Sequence, residues 1–493
     1  MKMNKDFYLP FDGDHFHEEC GVFGAFNCTD AAALCALGLH SLQHRGQEAA
    51  GIVSCDGKQF HQHTAIGRVG DNFSNKEVIA NLLGNSVIGH NRYSTSGKNG
   101  KTNIQPLFAE MGFGGIALAH NGNLTNGRLL RTELVKKGSI FRTTMDTEVV
   151  IHLIAMSKKK TVVDCLIEAL KRLEGAYSMV VLTKDSLIAA RDPLGVRPLV
   201  LGQLGDSYVL ASETCAFDII GAKYVRDIEP GEILVINDSQ LQSIKPFGKK
   251  LKQRFCIFEY VYFSRPDSYI EKKHVYDMRK EMGSQLANES PIDADVVVPV
   301  PDSGVPAALG YAEASGIPFE LGIIRNHYVG RTFIEPTDQV RHLGVKLKHS
   351  ANVSVLKGKR VILIDDSIVR GTTSKKIVSM VREAGATEVH MRISSPPTVD
   401  CCYYGVDTPA KEKLLASQMS VLEMQKFIGA DSLSFLSVDG MYRAVDEKER
   451  NNESPQYCDA CFTSDYPTSL SDKESNVTHI FDSLLVEQPS NGK

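Results

Sequence analysis

Several short stretches of the chain carry residue types that do chemistry together. In VILIDDSIVRGTTS the apolar run Val361 to Ile364 ends in two adjacent acids, Asp365 and Asp366. A loop with Gly371 and three hydroxyl residues, Thr372, Thr373 and Ser374, then opens the helical run KKIVSMVREAG. Backbone N–H groups at such a helix start suit a phosphate monoester, and the hydroxyls add donors. Carboxylates repel phosphate, so the acids are expected to address ribose hydroxyls or a divalent cation. A plain strand-to-helix turn capped by Asp is the alternative for any one of these residues. A second loop, VPDSGVPAA at 300–308, has the same design, and its Ser303 could equally be a helix N-cap. At the other end, Cys20 follows Glu18 and Glu19 and heads the run CGVFGAF. Removal of residues 1–19 gives Cys20 a free α-amino group with a pKa of about 7.7–8.0, able to act as base for its own thiol. An uncut chain offers only a non-basic amide nitrogen. CDAC at 458–461 is a CxxC pair, a weak metal signal when it stands alone.

Elements of two kinds must position these residues. From Cys20 to about Asp238 short β-rich runs dominate, among them SVIGHNRYS, GIALAHNGNL and SMVVLT, with helical spacing around DAAALCALGLHSLQ and TVVDCLIEALKRLEG. This half reads as stacked sheets with helices outside. The basic stretch KPFGKKLKQR at 245–254 reads as a surface connection. From about Asp295 strands alternate with Gly-containing loops and helices, which implies parallel βαβ units and a doubly wound sheet with ligands beyond the strand carboxyl ends. Residues 471–493 are polar and are expected as a loosely attached tail.

Length and composition agree with this division. The 493 residues predict two or three domains at roughly 150 residues each. A net charge of −4 gives no electrostatic footprint for nucleic acid or anionic membrane. No apolar run reaches the ~20 residues a membrane helix needs, and the first nineteen residues lack the apolar core of a secretory signal. The expected location is the cytoplasm. Eleven scattered cysteines, an odd number, argue against a disulfide framework and leave metal binding or nucleophilic chemistry.

The second half resembles type I phosphoribosyltransferases: IDDSIVRGTTS is similar to their phosphoribosyl pyrophosphate (PRPP) loop and VPDSGVPAA to their pyrophosphate loop. The resemblance implies PRPP contacts from Asp365, Asp366, Arg370, Gly371, Thr372 and Thr373, and Mg²⁺ near Ser303, Asp365 and Asp366. IRNHYVGRTFIEP at 324–336 matches the region that closes over PRPP in that family; with Lys346 and Lys348 it suits pyrophosphate, or a solvated basic face. The first half, with CGVFG, LQHRGQE at 42–48, GHNRYSTSG at 89–97, AHNGNL at 119–124, TTMDTEV at 143–149 and RDPLGVRPL at 191–199, resembles the glutaminase domain of N-terminal-nucleophile (Ntn) amidotransferases. That resemblance implies Cys20 as nucleophile, Asn121 and the N–H of Gly122 as oxyanion hole, and Arg92, Thr95 and Asp146 as glutamine contacts. HNGN is also a good turn sequence, and Asp146 could cap a helix.

Together the halves resemble the glutamine PRPP amidotransferase family, from about residue 18 to about 468. The implied organisation is a propeptide over 1–19, an Ntn αββα glutaminase domain over 20–245, a doubly wound phosphoribosyltransferase domain over 255–470, and the tail. The implied reaction moves the amide nitrogen of glutamine to PRPP, giving 5-phosphoribosylamine, glutamate and pyrophosphate, the first committed step of purine synthesis. Homotetramers inhibited by purine nucleotides are implied as well. One branch of the family carries a [4Fe–4S] cluster and a propeptide ending in Glu-Glu, and its ligands match Cys256, Cys402, Cys458 and Cys461. Four thiolates also suit Zn²⁺. Cys401 and Cys402 are adjacent, so in an extended segment only one faces the site. A non-catalytic PRPP-binding regulator and an Ntn amidotransferase with another acceptor are the competing readings.

Overall fold

The computed structural model describes residues 20–93, 101–238, 241–248, 252–326 and 349–475. Thr95, residues 1–19, Lys346 and Lys348 with most of the 324–336 stretch, and residues 476–493 lie outside them.

In the first half, alternation along each strand decides the layering. Phe23 and Ala25 pack in one core with the helix Ala31–Ser41, whereas Val22 and Phe26 join a second core shared with Val180 and Leu182 of the strand Gly175–Thr183. On that strand Tyr177, Met179 and Val181 face a third core with the helices Thr147–Met156 and Val162–Leu170. Side chains of opposite parity on one strand thus serve two cores, and the result is helix, sheet, sheet, helix. One sheet has seven strands, in the order Lys223–Asp227, Val200–Leu204, Ser207–Ala211, Gly21–Phe26, Ser86–Arg92, Ala49–Cys55, Phe60–Ile66. The other has six, in the order Leu241–Ile244, Ile233–Ile236, Leu187–Arg191, Gly175–Thr183, Gly114–Leu124, Leu107–Met111. The helix Thr147–Met156 had no periodic signal of its own because TEVVIHLIAM is buried on nearly every side.

In the second half, four strands run parallel in the order Val296–Pro299, Arg360–Asp365, Glu388–Ile393, Ser432–Phe435. Ile362 and Ile364 face one core while Val361 and Leu363 face another, so the central strand is covered on both sides and reads as a continuous apolar run. The connecting segment ends docked: Arg254 donates through its backbone to Leu194 and through Nε to the Tyr457 carbonyl at 2.9 Å. Beyond residue 470 the chain is also held at first, since Ser471–Glu474 form a helical turn whose Asp472 carboxylate accepts from the N–H groups of Arg128 and Leu129.

The helices Val275–Glu289 and Val305–Ser315 touch backbone to backbone. A Cβ at Gly283 would lie 1.8 Å from the Ala307 carbonyl oxygen. Gly→Ala in an open helix gains up to ~1 kcal/mol, but here the overpacking cost of about 1–3 kcal/mol wins. Gly283→Ala should lower the urea midpoint of unfolding; a raised midpoint would show that the helices can separate freely.

Candidate functional site

The first candidate site is built where the two sheets of the first half come together. Cys20 precedes the strand Gly21–Phe26, which pairs with Ser86–Arg92 so that Gly21 stands opposite Asn91. This register brings Cys20 to the end of the strand that carries Arg92, and the Cys20 Sγ lies 3.6 Å from the Tyr93 carbonyl. Burial pushes the Cys20 thiol up to about 11, with the Tyr93 contact and Arg92 opposing the rise and Asp146 adding to it. Arg92 and Asp146 are thus both within electrostatic reach of the sulfur. Arg92 is buried, and among the described residues its Nη2 has no hydrogen-bond partner. A buried, unsatisfied guanidinium nitrogen suits a carboxylate from a ligand.

Asn121 lies on the strand Gly114–Leu124, fully buried, and neither Nδ2 nor Oδ1 has a partner among the described residues. Its neighbour Gly122 has φ +137°, and a Cβ there would lie 2.1 Å from the Ala176 carbonyl oxygen. Only glycine fits that position. Asp146 ends up just before the helix Thr147–Met156, where its Oδ2 accepts from the Leu124 N–H at 2.9 Å, and it makes no side-chain cap to its own helix.

Sequence reasoning assigned no role to the buried ion network behind Cys20. Arg45 Nε donates to the Cys20 carbonyl at 3.3 Å, and its Nη1 and Nη2 reach Glu213 at 2.5 Å and Glu259 at 2.8 Å. Arg197 Nη1 meets the same Glu259 at 3.4 Å, its Nε donates to the Tyr404 carbonyl at 2.8 Å, and its Nη2 lies 3.9 Å from Cys402 Sγ. Arg45 and Arg197 sit in the quoted LQHRGQE and RDPLGVRPL runs and Glu259 in EYVYF, so their types were visible but not their convergence. His120 was missed too; it stands next to Asn121, with Nδ1 3.2 Å from Thr147 Oγ1. His90 contacts the His120 carbonyl, and burial lowers its pKa to about 3, which keeps it neutral.

The second candidate site lies at the carboxyl ends of the parallel strands. Pro299 stands opposite Ile364, and the Val300 N–H donates to the Ile364 carbonyl at 2.8 Å, so the 300–304 loop and the Asp365–Gly371 loop leave the sheet side by side. Asp365 and Asp366 are both buried; Asp366 Oδ1 accepts from Ser367, and its Oδ2 has no partner among the described residues. An orphan carboxylate oxygen suits a ribose hydroxyl or a cation. Gly371, at φ +74°, is the N-cap of the helix Thr372–Glu383 and has no side chain to cap it, so a helix start, with its positive dipole end, lies just beyond the two acids. Ser303 is half-buried and immediately precedes Gly304, the residue at the N-cap of the next helix.

A third feature joins the halves. Cys256, Cys402, Cys458 and Cys461 line one pocket together with Val196, Arg197, Phe258, Phe263 and Tyr404 among others. Cys256 and Cys458 are paired across two short parallel strands. Cys401 is turned elsewhere, its Sγ 3.2 Å from the Pro409 carbonyl. Burial pushes the Cys458 thiol up to about 12 and raises Cys256 and Cys461 as well, the neighbouring sulfurs adding to the rise. Among the described residues no three His, Cys, Asp or Glu side chains converge closely enough for a single metal ion.

Residues 90–218 match the family model of a glutamine amidotransferase domain, and residues 268–395 that of a phosphoribosyl transferase domain. The amidophosphoribosyltransferase of Rhizobium etli is 59% identical over 470 residues, covering 94% of this chain and 95% of its relative. The chain belongs to the amidophosphoribosyltransferase family. The Bacillus subtilis member is 50% identical over 96% of this chain and 98% of its own length. A solved structure of glutamine PRPP amidotransferase from B. subtilis, complexed with ADP and GMP, superposes with a TM-score of 0.87 at 50% identity, covering 92% of this chain and 98% of that one. The αββα layering and the parallel-sheet half are therefore an amidophosphoribosyltransferase arrangement. Among the described residues no helix is long and apolar enough to cross a membrane.

The raised pKa of Cys20 has a direct readout. In the chain that retains residues 1–19, only about one thiol in a thousand at position 20 is ionised at pH 8 if the pKa is about 11. Alkylation of Cys20 by iodoacetamide should rise about tenfold per pH unit from pH 7 to 10, followed by peptide mass spectrometry; a plateau below pH 9 would mean that the thiol is not desolvated.

Proposed function

We propose that this chain transfers the amide nitrogen of glutamine to C1 of PRPP, giving 5-phosphoribosylamine, glutamate and pyrophosphate. The observation that carries the reading is the presence on one chain of two sites with unsatisfied buried polar atoms of matching chemistry: Arg92 with Asn121 beside Cys20, and Asp366 near the helix start at Gly371. In the first site the Cys20 thiolate attacks the glutamine amide carbon while Asn121 Nδ2 and the Gly122 N–H stabilise the oxyanion. The C–N bond then breaks with release of ammonia, and water hydrolyses the glutamyl thioester. Arg92 pairs with the substrate α-carboxylate, Asp146 receives the α-ammonium group, and Thr95 is a further glutamine contact.

Removal of residues 1–19 as a propeptide supplies the base. The freed α-amino group has a pKa near working pH, whereas the buried thiol alone has one of about 11. In the second site Asp365 and Asp366 take the ribose hydroxyls, and Arg370, Gly371, Thr372 and Thr373 take the 5-phosphate. Ammonia then adds at C1 as the C1–O bond to pyrophosphate breaks, and the added nitrogen gives up a proton. Mg²⁺ held near Ser303, Asp365 and Asp366 would supply charge neutralisation on the departing pyrophosphate. Released ammonia would be protonated in bulk water, so closing the second site over PRPP belongs to the coupling.

The cysteine cavity fits a group of several atoms. Four thiols line it, apolar side chains close it, and the buried Arg197 cation beside Cys402 favours thiolate charge. We assign Cys256, Cys402, Cys458 and Cys461 as ligands of a [4Fe–4S] cluster, which ties the start of the second domain to its end. The protein is further proposed as a cytoplasmic homotetramer inhibited by purine nucleotides, in line with the ADP and GMP held by the B. subtilis relative.

Pyrophosphate release measured with Mg²⁺, PRPP and glutamine on anaerobically purified protein should require both substrates. Cys20→Ala should abolish glutamine-dependent release and keep ammonia-dependent release; loss of both would overturn the division of labour. Asp366→Asn should weaken PRPP use by on the order of tenfold or more in kcat/KM. The purified protein should be brown with about four irons and four sulfides per chain, whereas a colourless zinc protein would overturn the cluster assignment.

A further inference from the structure

The strand that carries Asn121 and Gly122 is covered, at those residues, by the segment Cys402–Gly405 from the other half of the chain. Asn123 Nδ2 donates to the Tyr403 carbonyl at 2.9 Å. One residue earlier the backbones touch, since a Cβ at Gly405, itself at φ +111°, would lie 2.9 Å from Cα of Gly122. On the opposite side of the same strand, Asn121 stands across from Ser178, whose hydroxyl donates to the Arg197 carbonyl at 3.2 Å. Arg197 closes the circuit by donating through Nε to the Tyr404 carbonyl at 2.8 Å. The segment is in turn fixed at Cys402, whose N–H donates to Thr408 Oγ1 at 2.9 Å and whose sulfur accepts from the Tyr404 N–H at 3.3 Å.

We propose that Cys402–Gly405 is a positioning element of the glutaminase half-reaction, with Tyr403 and Gly405 holding Asn121–Asn123 in the pose that receives the oxyanion. The inference rests on the assignment of Asn121 and Gly122 as oxyanion hole and of Cys402 as one of the four ligating thiols. Gly122 sits at φ +137°, one of many conformations open to glycine, so the residue itself does not fix this pose and contacts from its surroundings must. Backbone contacts from Tyr403 and Gly405 supply that constraint from outside the sheet. Oxyanion donors act on a transition state and not on bound glutamine, so a shift of the pose lowers kcat with little change in KM.

The test uses the full anaerobic enzyme with Asn123→Ala and, separately, Gly405→Ala. Glutamine hydrolysis should lose roughly tenfold in kcat in Asn123→Ala, the loss of one part-buried hydrogen bond, and more in Gly405→Ala, while KM for glutamine stays within about twofold. Three further readouts should stay at the wild-type level: ammonia-dependent pyrophosphate release, visible absorbance of the bound group, and the rate of Cys20 alkylation. Unchanged kcat in both variants would overturn the inference, as would equal losses of glutamine-dependent and ammonia-dependent activity. A wild-type enzyme that releases no ammonia from glutamine would overturn the underlying reading, an outcome visible before any variant is made.

Discussion

Glu259 is a carboxylate with no exposed surface, and the architecture depends on its being paired. It is answered by Arg45 from the first half, by Arg197 from the same half and by the Ser264 hydroxyl at 2.6 Å. Taking an ion out of water costs several kcal/mol even after relaxation, and breaking such a set by removing one partner costs about 3–5 kcal/mol. For Arg45, burial works against the charge, but Glu259 and then Glu213 more than offset it and the guanidinium stays ionised. Glu213 is held well below the usual carboxylate range: burial opposes this, and His44 and Arg45 overcome it. The two halves therefore share one set of buried charges and cannot separate without exposing or orphaning them.

That shared set explains why the candidate sites are not independent modules on a common chain. The Arg45 guanidinium holds the Cys20 carbonyl on one side and Glu259 on the other. Arg197 reads Glu259, the Tyr404 carbonyl and Cys402 at once. Each guanidinium is tied to several partners at once, so a movement of one is felt by the others. Close backbone approaches at Gly122, Gly405 and Gly283 leave no slack for that movement in the neighbouring strands and helices. Fixed geometry of this kind is what an oxyanion hole needs, because its donors must already be aimed when charge develops.

Much of this was legible from residue types and short-range spacing. The Asp365-Asp366 loop announces itself because an apolar strand, two acids and a glycine-hydroxyl helix start follow one another within a few residues. Arg92, Asn121 and Asp146 were reached only through the resemblance of the runs that contain them, whereas Cys20 was first singled out by the base that a freed α-amino group would give its thiol. The stacked layers were expected from short β-rich runs interrupted by helical stretches; in the structure the strand Gly21–Phe26 is buried throughout, and its two faces serve different cores. Three things were not legible. TEVVIHLIAM lacks amphipathic contrast because it is buried nearly all round. Arg45, Glu259 and Arg197 are ordinary charged residues in sequence, and only the fold brings them to one point. Asn123 looked like part of a turn sequence, and its partner Tyr403 lies on the other half of the chain.

The wall formed by Tyr403 and Gly405 also sets an order of events in the life of the molecule. The ribosome takes roughly 20–80 s to pass from Cys20 to Gly405 at ordinary synthesis rates. Throughout that interval the first half can build its sheets, yet the strand end at Gly122 lacks its outer support, and until Glu259 has emerged Arg45 lacks one of its two carboxylates. If Tyr403 and Gly405 hold the oxyanion pose as proposed, a nascent chain breaks down glutamine more slowly than the finished one, however complete its N-terminal domain looks. On that proposal the full rate of ammonia release is reached only once the domain that consumes it has been synthesised and docked.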